Sequence, residues 1–363
     1  MLVMKTINLY FVSYRISLPL TGGEKCTFAL IEGARKLGLA VHLWEAHQLP
    51  RLLQNIIILN IMFLFRCILL PKNSFLAFNT DFHSRSLFAI LFAKYVKKTR
   101  IIGILYHYNY WDKESKIGRK AHLILEKTFS LCFDSLITIS QFSYNNFRLL
   151  TKKEIKNSII TPFVKTTSNE KPERHSISLQ SPHLLYVGTI EPRKNIENSL
   201  SALATVPQSF TFDIIGGYAS KRYFDQLQEF SMKMKSASSV LFHGRQESRH
   251  LEDFFRKASI FILVSRMEGY GMVYAEAMKY GLPIIGTTKG AVPELVTHGE
   301  NGILCDPDDV PGIARAITSL CDLTEWNRIS HNNLRKFDSL TDRETFVEAS
   351  RKVFEDLIGQ NRC

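Results

Sequence analysis

The sequence predicts an α/β protein made of two doubly wound domains, each a parallel sheet with helices on both faces. Three observations predict it. Short apolar runs alternate with helical stretches through residues 7–140, the rhythm of βαβ units. A polar stretch, KTTSNEKPERHSISLQSP at 165–182, interrupts that rhythm and reads as an interdomain linker. The alternation restarts at 183 and runs to 307. A chain of 363 residues also exceeds what one core usually fills.

Taken in order, INLYFV (7–12) reads as a first strand, not as a signal peptide, because one early lysine and a short apolar run are followed by no small-residue cleavage site. LTGGEKC (20–26) is a glycine turn before a helical pattern at 27–38, and VHLWEA (41–46) is a second strand. The apolar run 52–70 approaches the length of a membrane span, but Gln54, Asn55, Asn60 and Arg66 interrupt it, so a buried or interface-lying helix is expected. SFLAFN (74–79), a helix near 84–97, RIIGILYH (100–107), a helix near 117–133 and SLITIS (135–140) follow. After the linker, strands are expected at 183–189, 210–217, 239–245, 259–265 and 282–288, with helices between them, a short strand or turn at 302–307 and a helical tail over 310–358. The domains are then an N-terminal one over 1–165, a linker at 166–182, a C-terminal one over 183–340 and a final helix at 341–363 able to pack back on the first domain. Tandem domains of this kind are expected to face each other across a ligand cleft at the carboxyl ends of their strands.

Composition narrows the function. With 45% hydrophobic and 22% charged residues the chain is a folded protein. Its six cysteines are scattered without a CxxC pair, which argues against a zinc site or a disulfide framework and suits a reducing compartment. Charge is unevenly placed: residues 1–165 hold 23 Lys+Arg and 9 Asp+Glu, whereas 166–363 hold 23 and 25. The net +14 of the first part points to an anionic partner, or to a well-solvated basic surface. No zinc spacing or other nucleic-acid module accompanies it, so no nucleic acid is expected as a partner.

Two stretches carry chemistry. In MEGYGMVYAEAMKYGLPIIG (267–286), a strand is followed by a turn with Gly269 and Gly271 and by a helix from Met272. Amides at Gly271 to Val273 have no intrahelical acceptor and favour an anion such as a diphosphate. Glu268 in the turn and Glu276 one turn into the helix can accept hydrogen bonds from hydroxyls on either side; by position alone, both also read as solvated glutamates. YVGTIEPRKNIENSL (186–200) repeats strand, glycine, turn and helix, and places Arg193 beside Lys194. Adjacent cations at a strand's carboxyl end suit a leaving diphosphate, or form an ordinary basic loop.

Together with FHG, FILVSRMEGYGMVYAEAMKYGLPIIGTTKGAVPELV and GENGILCDPDD, these blocks resemble the retaining nucleotide-sugar glycosyltransferases of family 4, which have the GT-B fold. The resemblance is strong over 183–309 and looser in the first half, where it rests on a glycine-glycine opening, a strand-end histidine and DSLITISQFS. It implies that Arg193 and Lys194 contact the donor diphosphate, that Glu276 binds ribose hydroxyls and Glu268 sugar hydroxyls, and that amides near Gly271, Met272 and Val273 hold the distal phosphate. Gly188 and Gly269 belong to the same two donor turns. Gly22 and Gly23 would form an N-domain loop beside the phosphates and acceptor, His107 would sit near the reacting centre, and Arg245 near the base. The implied mechanism is a front-face displacement in which the leaving phosphate helps deprotonate the acceptor. Arg193, Lys194, Glu268 and His107 would be its catalytic groups.

The implied donor is a UDP-, GDP- or ADP-sugar, and the acceptor a glycan or a lipid-linked group. No cofactor and no metal are expected, since no Asp-x-Asp stands in the motif region. The basic first half, with Lys94, Lys97, Lys98 and Arg100 clustered near the apolar segment, leads to an expected peripheral contact with the anionic cytoplasmic leaflet. Rival readings are a GT-B sugar-nucleotide epimerase or phosphorylase, and a non-catalytic sugar-nucleotide-binding subunit. Lys194→Ala is expected to lower turnover far more than folding stability.

Overall fold

The computed structural model describes residues 7–13, 22–45, 56–71, 74–79, 83–108, 116–163, 178–234 and 238–359. It divides into two compact units, one formed by residues 1–163 with 341–363, the other by 164–340.

Unit 1 runs β1 (Asn8–Ser13), α1 (Gly22–Lys36), β2 (Ala40–Glu45), α2 (Ile56–Ile68), β3 (Ser74–Asn79), α3 (His83–Tyr95), β4 (Arg100–Leu105), α4 (Lys116–Leu131), β5 (Ser135–Thr138), α5 (Gln141–Thr151) and β6 (Lys156–Ile159), and is completed by α13 (Arg343–Gly359). Its six strands are parallel in the order β2-β1-β3-β4-β5-β6. Helices cover both faces, so central strands need no polar side: all six residues of β3 are buried. Phe63, Ile90, Phe129 and Phe147, from α2, α3, α4 and α5, share one core with Leu76 and Phe78 of β3. The opposite side is covered by α1 and α13. Gly33 of α1 lets them meet closely, since a Cβ there would lie 2.7 Å from the Val347 carbonyl oxygen. Phe346 and Phe354 of α13 are fully buried, each contributing about 1.5–3 kcal/mol.

Several boundaries differ from the sequence reading. Gly22 and Gly23 open α1 instead of preceding it, and α2 takes up 13 of the described residues. Among the described residues no helix is long and apolar enough to cross a membrane. Two elements were not anticipated, α5 and β6. Helix α5 buries only Ser143, Phe147 and Thr151, a stripe with one strongly apolar residue, and its start is fixed by capping, with Ser140 Oγ accepting from Ser143 N at 3.1 Å. Strand β6 is a four-residue edge strand, KNSI, without alternation. Residues 166–177 of the expected linker and 52–55 of the apolar run lie outside the described residues.

Unit 2 runs β7 (His183–Val187), α6 (Ile196–Leu203), β8 (Thr211–Ile215), α7 (Lys221–Met232), β9 (Ser239–Gly244), α8 (Ser248–Lys257), β10 (Ile260–Ile262), α9 (Met272–Lys279), β11 (Ile284–Thr287), α10 (Val292–Leu295), β12 (Gly302–Cys305), α11 (Val310–Ser319) and α12 (Leu323–Ser339). The strands are again parallel, ordered β12-β11-β10-β7-β8-β9. Strand order reverses between β7 and β10, and in open parallel sheets ligands bind beyond the carboxyl ends of the strands at such a reversal. The fold thus singles out the loops after β7 and β10 before any side chain is considered.

Candidate donor site

The loop after β7 holds Arg193 and Lys194 in a 3₁₀ turn, Pro192–Lys194; the loop after β10 holds Glu268, Gly269 and Gly271. The structure joins them directly. Lys194 Nζ lies 2.6 Å from Glu268 Oε2, and both side chains are close to nine-tenths buried. Arg193 donates to the Met267 carbonyl at 2.9 Å and to Glu191 at 2.5 Å, and its guanidinium is 3.9 Å from Glu268. A main-chain bond from Arg266 N to Arg193 O (2.8 Å) ties the loops together, and Ser265 Oγ stands 3.5 Å from Glu268 Oε2. Two acids and two cations, Glu191, Arg193, Lys194 and Glu268, thereby form one nearly balanced cluster at the strand-order reversal.

Local backbone chemistry fixes this arrangement. Asn195, fully buried in the left-handed conformation (φ 57°), ends the 3₁₀ turn and donates to the carbonyls of Val264 (3.0 Å) and Pro307 (2.7 Å). Asparagine tolerates that conformation better than most residues. Gly271 caps α9 at φ 81° with no side-chain cap, so the helix start offers backbone N–H groups instead of a capping oxygen. Gly290, after β11, sits at φ 75°, and a Cβ there would fall 2.3 Å from the Glu268 carbonyl oxygen; the same oxygen accepts from Ala291 N at 2.9 Å.

Two buried tyrosines support the cluster from below. Tyr186 in β7 donates to Thr189 O at 2.8 Å, and Tyr274 in α9 donates to Leu263 O at 2.5 Å. Burial pushes both phenols well above their usual range, and nearby carboxylates add to it: Glu191 and Glu268 for Tyr186, Glu268 for Tyr274. They remain neutral donors. On the outer side, Arg266 reaches Glu197 at 2.7 Å, and Glu197 also accepts from Tyr223.

Gly188 follows β7, its N–H bonded to Ile215 O at 2.9 Å. Gly269 is buried, and Met272, Val273 and Glu276 occupy the start and middle of α9, Glu276 half-buried. Arg245 is exposed just beyond β9. In unit 1, His107 is half-buried after β4, beside Tyr106, whose hydroxyl bonds Thr27 of α1 and whose carbonyl accepts from Ser143 Oγ at 2.7 Å. That link pins the elements carrying His107 and the Gly22–Gly23 pair to each other. Residues 14–21, before the glycines, lie outside the described set. Asn195, Gly290, Glu191 and Ser265 were not singled out from the sequence, although all four stand in or beside the motif blocks.

The burial of the Lys194–Glu268 pair changes one expectation. Removing one partner of a buried ion pair leaves the other charged and desolvated, at a cost of about 3–5 kcal/mol when nothing compensates. Arg193 and Ser265 compensate partly here, but Lys194→Ala is no longer expected to leave stability almost untouched.

Residues 167–337 match the family model described as glycosyl transferases group 1. The chain carries a glycosyl transferases group 1 domain. It is 29% identical over 173 residues to an uncharacterized glycosyltransferase of Methanocaldococcus jannaschii, covering 48% of each chain. It is 27% identical over 221 residues to the O-antigen chain mannosyltransferase B of Escherichia coli, covering 57% of each. These matches span about half the length of the curated relatives. Anabaena HepE, solved in complex with UDP-glucose, shares the fold at a TM-score of 0.71 and 16% identity, over 96% of this chain and all of the other. With its two parallel-sheet Rossmann-like units, the chain has the GT-B fold, and the group 1 domain coincides with unit 2, where the charged cluster lies.

Proposed function

We propose that the protein is a retaining glycosyltransferase that moves a hexose or related sugar from a nucleoside diphosphate donor to a glycan or lipid-linked acceptor, in cell-surface polysaccharide or lipopolysaccharide synthesis. One observation carries this reading: the Lys194–Glu268 pair stands with the uncapped start of α9 on the two loops that flank the strand-order reversal of unit 2. That combination suits a sugar diphosphate. Amides at Gly271 to Val273 would face the phosphates, Lys194 and Arg193 would add positive charge, and Glu268 would accept from sugar hydroxyls. Glu276 would accept from the ribose.

The chemistry asked of these groups is charge stabilisation. As the bond from anomeric carbon to phosphate breaks, negative charge grows on the leaving diphosphate, and a preformed pair of cations stabilises that state more than the ground state. The acceptor hydroxyl attacks from the same face and gives its proton to the departing phosphate oxygen, so the configuration is retained without a protein nucleophile. The reading includes no metal, and transfer is expected to persist in EDTA.

The names of relatives support the donor class and the setting: an O-antigen mannosyltransferase and a fold neighbour crystallised with UDP-glucose. A melting-temperature screen against UDP, GDP, ADP and their sugars tests the proposal. One nucleotide family is expected to stabilise the protein, by about 2.7 kcal/mol at a hundred times its dissociation constant. The absence of a shift with every donor would remove the reading. An NMR assignment of the product's anomeric configuration tests retention.

A further inference from the structure

Helices α2, α3, α4 and α5 pack side by side on one face of the unit 1 sheet. Their inward residues build the core, yet their outward residues are also apolar. In α2 the inner face is Leu59, Phe63 and Cys67, all buried, while Ile61, Phe65 and Ile68 face outward, followed by Leu69, which is 80% exposed. The polar residues that interrupt this helix turn inward. Asn60 is buried and accepts from Phe88 N of α3 at 3.0 Å, and Arg66 lies over the Trp44 ring, 5.6 Å from its centre. Neighbouring helices continue the exposed stripe, with Phe88 and Tyr95 on α3 and Ile117 and Ile124 on α4. A helix apolar on every side is ordinarily enclosed by protein or by lipid.

Charge on this layer is one-sided. The four helices contain eight lysines and arginines and a single acid, Glu126, which is buried. Among the described residues, the loop acids beside these helices are engaged: Asp134 pairs with Lys94 and Glu154 with Arg148. Lys97 donates to Ile68 O at 3.0 Å, which sets the Lys97–Lys98 turn beside the end of α2. On the other side of the sheet, α1 and α13 carry six cations and six acids.

We propose that the outer face of α2, α3 and α4 docks on a bilayer leaflet containing acidic phospholipid. Phe65, Leu69 and Phe88 enter the headgroup region, and Lys98, Lys120 and Lys127 meet lipid phosphates. A second copy of the chain is a poorer occupant, because two such faces would oppose cation to cation. The inference rests on the outer helices of unit 1 and not on the donor site, so a binding measurement separates it from the transfer reading.

The test is flotation of the full chain with vesicles of phosphatidylcholine alone and of phosphatidylcholine with phosphatidylglycerol, at low and high salt. Binding is expected only to the acidic vesicles and is expected to fall at high salt. Lys120→Glu with Lys127→Glu should lower partitioning at least about 25-fold, from about five-fold per cation. Phe65→Ser with Leu69→Ser should lower it as well, and Lys36→Glu with Lys352→Glu, on α1 and α13, should leave it unchanged. Melting curves confirm that each variant is folded. Equal binding to neutral vesicles, or equal loss in the α1/α13 variant, overturns the proposal. So does a dimer in size-exclusion chromatography that Phe65→Ser with Leu69→Ser dissolves while the wild type ignores both vesicle types.

Discussion

The two units share an architecture and spend their charge differently. Unit 2 gathers Glu191, Arg193, Lys194 and Glu268 into a partly buried cluster at the carboxyl ends of β7 and β10, every member tied to another or to the main chain. Unit 1 spreads its cations over an outward helix layer whose one acid is buried. The sheet topology allows either arrangement. What distinguishes them is desolvation: charges removed from water must be matched one by one, whereas surface charges can accumulate with one sign and act collectively on a large anionic partner.

This contrast can be broken in three places. The largest effect is expected from Lys194→Ala. Turnover should fall about 100- to 1,000-fold, the range for removing one group that stabilises developing charge. Removing surface cations of unit 1, as in Lys120→Ala with Lys127→Ala, should leave turnover on a soluble acceptor unchanged. Steady-state rates of both proteins decide the matter, and equal losses would erase the distinction. Because the Lys194 variant also loses stability, a double-reciprocal series at a temperature well below its melting point keeps the two effects apart.

Gly290→Ala sharpens the comparison next. The new Cβ meets the Glu268 carbonyl at 2.3 Å in a backbone conformation that alanine resists. A loss of about 1–3 kcal/mol is expected from urea unfolding, with weaker donor binding because Glu268 is displaced. The smallest of the three effects is Ser140→Ala in unit 1. It removes the cap of α5 and should cost about 1 kcal/mol, with no change in the affinity for nucleotide.

Much of the fold was legible in the sequence because buried parallel strands are apolar runs, and those of unit 2 stand out. FILVS marks β10 and LPIIGTT marks β11. The elements that escaped are held by other means. Helix α5 depends on a serine cap and β6 on its neighbour β5, neither of which leaves a periodic signal. For the site, Arg193, Lys194 and Glu268 were visible through the resemblance of their two motif blocks to a known family, since by position alone each also read as an ordinary surface charge. Their mutual contact was not, since 74 residues separate Lys194 from Glu268. Asn195 and Gly290 were hidden for a different reason: their roles lie in backbone conformation and in contacts to carbonyls far along the chain. The direction of α2 was also illegible. Apolar residues on all sides do not reveal which side the sheet will cover.

One feature bears on how the chain is made. Unit 2 is continuous in sequence, but unit 1 receives its last helix, α13, only after all of unit 2. During synthesis the first unit to emerge is therefore the last to be finished. Until α13 leaves the ribosome, the flank of α1 around Gly33 waits uncovered, while the unit translated in between already has every strand it needs.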